Sequence, residues 1–205
     1  MNLKKLSVEH PFFEFMGSLG DWMILNALFV VTSLPVITIG VSLTSMYQVS
    51  LRRIRGESRY TVREYFQALR NEWKESTKLW MFFLCTGGIL LFDVLYGNNL
   101  PAAVNIGLGC LAALWCFVFT YAFPLQARFQ NSMRNTLVNA LILAFRNFPV
   151  TVILIILNSV PIVCIMMGPF TVMAVMPVFC IIGFSLIVWL ESVFLSVIFE
   201  KIKEI

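Results

Sequence analysis

The chain has 205 residues, of which 59% are hydrophobic and 13% charged, and its net charge is +4. A soluble domain is about half apolar and about a quarter charged, so with a mean hydropathy of +0.84 the apolar residues cannot all hide in one water-soluble core. The composition excludes a soluble globular domain and leaves an integral membrane protein with several helices.

The apolar residues fall in long runs with few charges, and a bilayer crossing takes about 20 residues of helix. Alternating ten-residue segments, the mark of a membrane barrel, are absent. The expected fold is all-α: one polytopic membrane domain over residues 1–205, with about five transmembrane helices and amphipathic cytoplasmic helices. Met1–His10 carries Lys4 and Lys5 but no short apolar run ending in a small-residue cleavage site, so no removable signal peptide is expected.

Pro11–Leu19 is short and aromatic, with Phe12, Phe13, Phe15 and Glu14, and is expected at the interface. The first span is expected over residues 22–50. Leu34-Pro35-Val36-Ile37-Thr38-Ile39-Gly40 interrupts it, and Pro35 should kink or break the helix. A hairpin there would have two arms of about 13 to 15 residues, too short for two crossings. One kinked crossing is therefore expected.

Residues 51–78 form the first cytoplasmic segment, with eight basic and four acidic residues. Thr61-Val62-Arg63-Glu64 reads as a capping box, with Thr61 as N-cap, and Tyr60 and Tyr65 as its staple. Val62, Tyr65, Phe66, Leu69, Trp73, Ser76 and Trp80 recur at helical spacing, opposite Arg63, Glu64, Gln67, Arg70, Lys74 and Glu75. Such a face suits the membrane surface or a partner.

Further spans are expected at 79–96, 102–123, 150–167 and 171–199. Gly97–Pro101 and Gly168-Pro169 are the turns between them. The second cytoplasmic segment, 124–148, carries Arg128, Arg134 and Arg146 and no acid. The positive-inside rule then places both basic segments and the C-terminus in the cytoplasm and the N-terminus outside. Ala68-Leu69-Arg70-Asn71 and Ala144-Phe145-Arg146-Asn147 each precede a span, a short internal echo of the kind parallel repeats leave.

Glu191 lies about 12 Å into the last span at 1.5 Å per residue. A carboxylate there needs a partner, a cavity or the headgroup boundary. Pairing with Arg52, Arg53 or Arg128 is expected; an ion-coupling role is the alternative. Asn26 is the other intramembrane polar candidate, near the start of span one. The five cysteines all lie in apolar runs and read as small buried hydrophobes. His10 is the only histidine, and no phosphate-binding glycine loop is present. An enzyme is not expected, nor is a cofactor, a metal or a nucleic-acid partner.

At residues 34–40, followed by Thr44-Ser45-Met46-Tyr47, Leu51-Arg52 and Tyr60, the chain resembles the YesL-like family of bacterial membrane proteins. The resemblance continues through Phe66, Asn71, Trp73, Lys74 and Thr77 to Trp80. It returns at Ala127-Arg128-Phe129, Asn131-Ser132, Asn135-Thr136-Leu137, Asn139-Ala140, Pro149 and Thr151. Trp73 stands where the family's pattern has a phenylalanine, and the match thins after span four.

The resemblance implies a multipass protein of the bacterial plasma membrane, often encoded beside carbohydrate importers of the ATP-binding-cassette type. The expected function is an accessory subunit that contacts importer subunits, a membrane regulator or lipid through Arg52, Arg53, Arg55, Trp73, Arg128, Arg134 and Arg146. A small transporter or channel, a homo-oligomer among the possibilities, and a membrane scaffold are the competing readings.

Overall fold

The computed structural model describes residues 11–58, 60–96 and 101–203. The expectations for Met1–His10, the Gly97–Leu100 turn and Arg59 lie outside them. The described residues form helices α1 (Pro11–Thr32), α2 (Ile39–Ile54), α3 (Thr61–Asn71), α4 (Trp73–Tyr96) and α5 (Ala102–Phe129). They continue as α6 (Met133–Arg146), α7 (Phe148–Met166), α8 (Pro169–Val178) and α9 (Phe184–Lys203). A single 3-10 turn, Val36–Thr38, precedes α2, and a π-helical stretch, Phe179–Gly183, joins α8 to α9.

Four helical segments are long and apolar enough to cross a membrane: Trp73–Tyr96, Ala102–Phe129, Phe148–Met166 and the joined Pro169–Lys201. Gly17–Thr32 is a shorter apolar helix. The protein is thus a helical membrane bundle, and among the described residues four such segments and one shorter apolar helix stand where five crossings were expected. The four correspond to the spans expected at 79–96, 102–123, 150–167 and 171–199. Gly168, at φ +113°, makes the turn into the last of them, a backbone conformation that glycine alone adopts without strain.

The expected single crossing over 22–50 is wrong. The chain reverses at Pro35 instead of kinking there. Helix α1 stops at Thr32, and the Thr38 hydroxyl donates to the carbonyl oxygen of Pro35 (2.7 Å), closing the turn. Asp21, early in α1, is paired with Arg53 at the end of α2. The two arms therefore form an antiparallel hairpin. The argument that the arms are too short for two crossings still holds, because α2 does not cross. Its first turn packs on α4, with Gly40 against Trp80 and Ser76. Its last turn shares a small cavity with Arg128, Phe199 and Glu200, near the ends of α5 and α9. Both ends of α2 thus lie toward the same end of the bundle, where α4 begins and α5 and α9 finish.

Two further expectations change with this. Asp21 sits at the basic end beside Arg53, so the hairpin removes the basis for placing the N-terminal side opposite the basic segments. The second expected cytoplasmic segment, 124–148, is divided. Helix α5 runs on through Pro124 to Phe129, and α6 folds back along it, with Phe145 against Phe117 at 6.1 Å between ring centroids.

The cysteines are also not core residues. Cys85, Cys110, Cys116 and Cys180 are exposed on the bundle surface, where lipid tails are as apolar a neighbour as any side chain.

The internal echo of two span–helix–span units is not matched whole, because α5 is long and apolar enough to cross and α2 is not; what recurs is local. In α2–α3–α4 and again in α5–α6–α7, a helix is followed by a second helix packed back on it. Each then breaks at one residue, Glu72 or Asn147, before a span. Ala68 and Ala144 hold the same place near the end of the packed-back helix, 1% and 0% exposed.

Gly40 tests the α2–α4 contact. A Cβ there would lie 2.3 Å from the Trp80 Cβ and 2.9 Å from the Ser76 carbonyl oxygen. Overpacking of this kind costs about 1–3 kcal/mol. Gly40→Ala is expected to lower the unfolding midpoint in detergent, whereas Gly88→Ala, with open space around the added methyl, is expected not to.

Candidate functional site

Helix α2 carries more buried polar side chains than any other helix among the described residues. Ser42, Thr44, Ser45, Tyr47, Gln48 and Ser50 are all buried on it. Thr44 and Ser45 donate to carbonyls four residues back, at 3.0 and 2.8 Å. The side-chain oxygens of Ser42, Gln48 and Ser50 have no hydrogen-bond partner. A helix of this composition is costly in contact with lipid, and the bundle surrounds it with α1, α3, α4, α5 and α9.

The centre of this core is Glu191 on α9, which is 0% exposed. The Tyr47 hydroxyl donates to Oε2, and the Asn158 amide donates to Oε1 at 2.6 Å. One carboxylate therefore ties α2, α7 and α9. The arginine partner expected from the sequence is not there. Arg53 is paired with Asp21, and Arg55 with Glu57 at 2.8 Å. Tyr47 was missed as a site residue. Its signal was a lone phenol in a helix otherwise rich in serine and threonine.

Asn26, also 0% exposed, is the second polar centre. Its amide donates to the carbonyls of Phe179 (2.9 Å) and Cys180 (2.6 Å), and its Oδ1 accepts from the Ser185 N–H (3.0 Å). These are backbone groups of the π stretch and the turn after it, where the regular ladder is displaced. Asn26 thus satisfies the backbone where α8 passes into α9.

The third centre lies at the basic end. Glu72, at the α3–α4 break, accepts from the Gln126 amide (2.8 Å), whose oxygen accepts from the Thr136 hydroxyl (2.8 Å). Glu75 accepts from the backbone N–H of Met133 (3.3 Å), at the start of α6, and from Lys78 (2.6 Å). A carboxylate there complements the positive end of the helix. Glu72 and Glu75 thereby clamp the α5–α6 turn.

The expected capping box is shifted by one residue. Glu64 accepts from the N–H of Tyr60 at 3.3 Å, while the Thr61 hydroxyl donates to Asp21 at 3.1 Å. Tyr60 is exposed and Tyr65 buried, so no staple forms. The Tyr65 hydroxyl meets Thr32 at 2.6 Å, and burial pushes its pKa above the usual value despite that bond.

The arginines expected to form one contact surface do not gather. Arg53 and Arg55 are in ion pairs. Arg52 and Arg128 are half-buried, and Arg134 and Arg146 are exposed at opposite ends of α6, about 18 Å apart along its axis. Trp73 is 44% exposed. Arg63, Arg70 and Lys74, not singled out before as contacts, are exposed. Away from these, an apolar groove of about 480 Å³ runs between α4, α5 and α6, lined by Phe82, Leu111, Trp115 and Leu141 among others. No group of three or more His, Cys, Asp or Glu suited to a metal occurs among the described residues.

This architecture is that of a polytopic helical membrane protein built around a buried carboxylate. Residues 22–94 match the model of a family described as a protein of unknown function, DUF624. The match covers the α1–α2 hairpin from Trp22, helix α3 and most of α4. Comparison with curated proteins gave no match, and comparison with solved structures gave none either.

The Tyr47–Glu191 bond is expected to be energetically coupled. Glu191→Leu leaves the Tyr47 hydroxyl and the Asn158 amide unpaired, and each such buried group costs about 1–3 kcal/mol. Thermal unfolding in detergent of Tyr47→Phe, Glu191→Leu and the double variant should show the double loss falling short of the summed single losses. The shortfall expected is at least about 0.5 kcal/mol.

Proposed function

We propose that the chain is an accessory protein of the bacterial plasma membrane that binds a partner and carries out no chemistry of its own. The observation that carries this reading is the partition of charge. Glu191 is enclosed, with both oxygens held by Tyr47 and Asn158. The exposed cations Arg63, Arg70, Lys74 and Arg134 stand at the basic end of the bundle. A closed interior with a charged outer end suits attachment better than passage.

The YesL-like resemblance is consistent with the family match over residues 22–94, and it supplies the partner class. That class is the subunits of a carbohydrate importer of the ATP-binding-cassette type, or a membrane regulator of one. In this reading the basic end faces the cytoplasm, in keeping with the positive-inside rule. Arg134, exposed at the start of α6, is better placed for a partner than Arg53 and Arg55, which are already paired. A pull-down from native membranes in mild detergent, read by mass spectrometry, is expected to return importer subunits in stoichiometric amount. Recovery of the protein alone or as a homo-oligomer overturns the proposal.

One observation favours a small transporter instead: the unpartnered oxygens of Ser42, Gln48 and Ser50 in the centre of the bundle. That reading requires solute or ion flux in liposomes holding this protein alone, reduced by Glu191→Gln. Absence of flux for the oligosaccharides and ions tested removes it.

A further inference from the structure

Helix α3 turns two different faces to its surroundings. Tyr65 and Ala68 are 0% and 1% exposed against the α1–α2 hairpin, where the Tyr65 hydroxyl meets Thr32 at 2.6 Å. On the outward side two stripes run next to each other. One is apolar: Val62, Phe66 and Trp73 are 46%, 50% and 44% exposed. The other is basic: Arg63, Arg70 and Lys74, all exposed.

The stripes continue across the α3–α4 break. Glu72 interrupts the helix by one residue, yet its N–H bonds to the Ala68 carbonyl (2.9 Å) and its carbonyl accepts from Ser76 (3.0 Å). Residues 62, 66 and 73 therefore stay on one side, as do 63, 70 and 74, at spacings of four or seven residues that return to the same helix face.

The acids of this region do not neutralise the basic stripe. Glu72 is buried and accepts from Gln126. Glu75 is taken by Lys78 and the Met133 N–H, Glu57 by Arg55, and Glu64 accepts from Tyr60. None of Arg63, Arg70 and Lys74 is in an ion pair among the described residues.

The position of this surface identifies its occupant. Helix α4 opens at Trp73 with the polar stretch 74–78 and turns apolar from Leu79, so the α3–α4 elbow stands about 9 Å before the apolar run begins, at the level of the headgroups. An apolar stripe beside a basic stripe at that level matches the boundary between acyl chains and phosphate headgroups. A protein partner would have to displace lipid from Val62, Phe66 and Trp73, whereas the leaflet reaches both stripes at once.

We propose that the α3–α4 elbow is a docking site for anionic phospholipid: Val62, Phe66 and Trp73 lie among the upper acyl chains, and Arg63, Arg70 and Lys74 bind headgroup phosphates. The elbow then straps the α1–α2 hairpin to the leaflet. The preference for anionic lipid comes from charge, and it weakens with salt.

The test uses the full chain in liposomes of phosphatidylcholine mixed with phosphatidylglycerol. One or the other lipid carries brominated acyl chains, which quench tryptophan on contact. The Trp73 signal is isolated by subtracting the Trp73→Phe variant. Brominated phosphatidylglycerol is expected to quench Trp73 more than brominated phosphatidylcholine does, and raising the salt should shrink the excess.

Arg63→Gln/Arg70→Gln/Lys74→Gln is expected to lower the relative association constant for the anionic lipid by about fivefold or more. Fivefold corresponds to the loss of about 1 kcal/mol for one basic residue. Lys74→Gln alone should lower it in the same direction if the triple variant does not fold. Equal quenching by the two lipids overturns the proposal, as does an excess that the triple variant retains. So does a Trp73 that neither lipid quenches, which would mean that protein covers the stripe.

Discussion

A polar helix held inside an apolar bundle is the constraint on which this structure depends. Helix α2 carries six buried polar side chains between Ser42 and Ser50. Exposure of such a helix to lipid leaves groups that hydrocarbon cannot satisfy. The arrangement of the other elements follows from covering it. Helix α1 folds back along it from Pro35, α3 closes over it with Tyr65, α4 approaches through Gly40, and α5 and α9 complete the enclosure. Glu191 then fastens the centre of α2 to two spans through Tyr47 and Asn158.

The remaining polar groups are distributed by the same logic. The π stretch before α9 displaces backbone groups from the helical ladder, and Asn26 meets three of them. The break between α3 and α4 brings Glu72 inside, where Gln126 receives it and Thr136 completes the chain. At the break between α6 and α7, the Thr151 hydroxyl donates to the Ala144 carbonyl (2.8 Å) and meets the Tyr121 hydroxyl (3.1 Å). Helix α5 therefore holds both breaks, through Gln126 for the first and Tyr121 for the second.

Charge divides cleanly between inside and outside. The buried acids Glu72 and Glu191 are met by neutral donors, Gln126, Tyr47 and Asn158. Arg53 and Arg55 are tied in ion pairs at the basic end, and Arg63, Arg70, Lys74 and Arg134 face outward there. Neutral donors suffice inside because a hydrogen bond is stronger in a low-dielectric setting than in water. An arginine reaching Glu191 would bring a charge to desolvate.

The sequence by itself determined the four apolar segments, the amphipathic helix before the first of them, the basic end and the positions of Asn26 and Glu191. Hydropathy and helical spacing are properties of neighbouring residues, so they can be read along the chain. Even the echo at Ala68 and Ala144 was visible, because both alanines meet the same local packing demand. Only the tertiary structure decided that residues 22–50 form a hairpin, since a proline that kinks and one that terminates look alike until Asp21 meets Arg53. Tertiary structure alone also gave Glu191 its partner, 144 positions away at Tyr47, and gave Asn26 its carbonyls, 153 and 154 positions away. Polar groups in a membrane core bond to whatever the packing brings near, and packing is set by shape across the whole bundle.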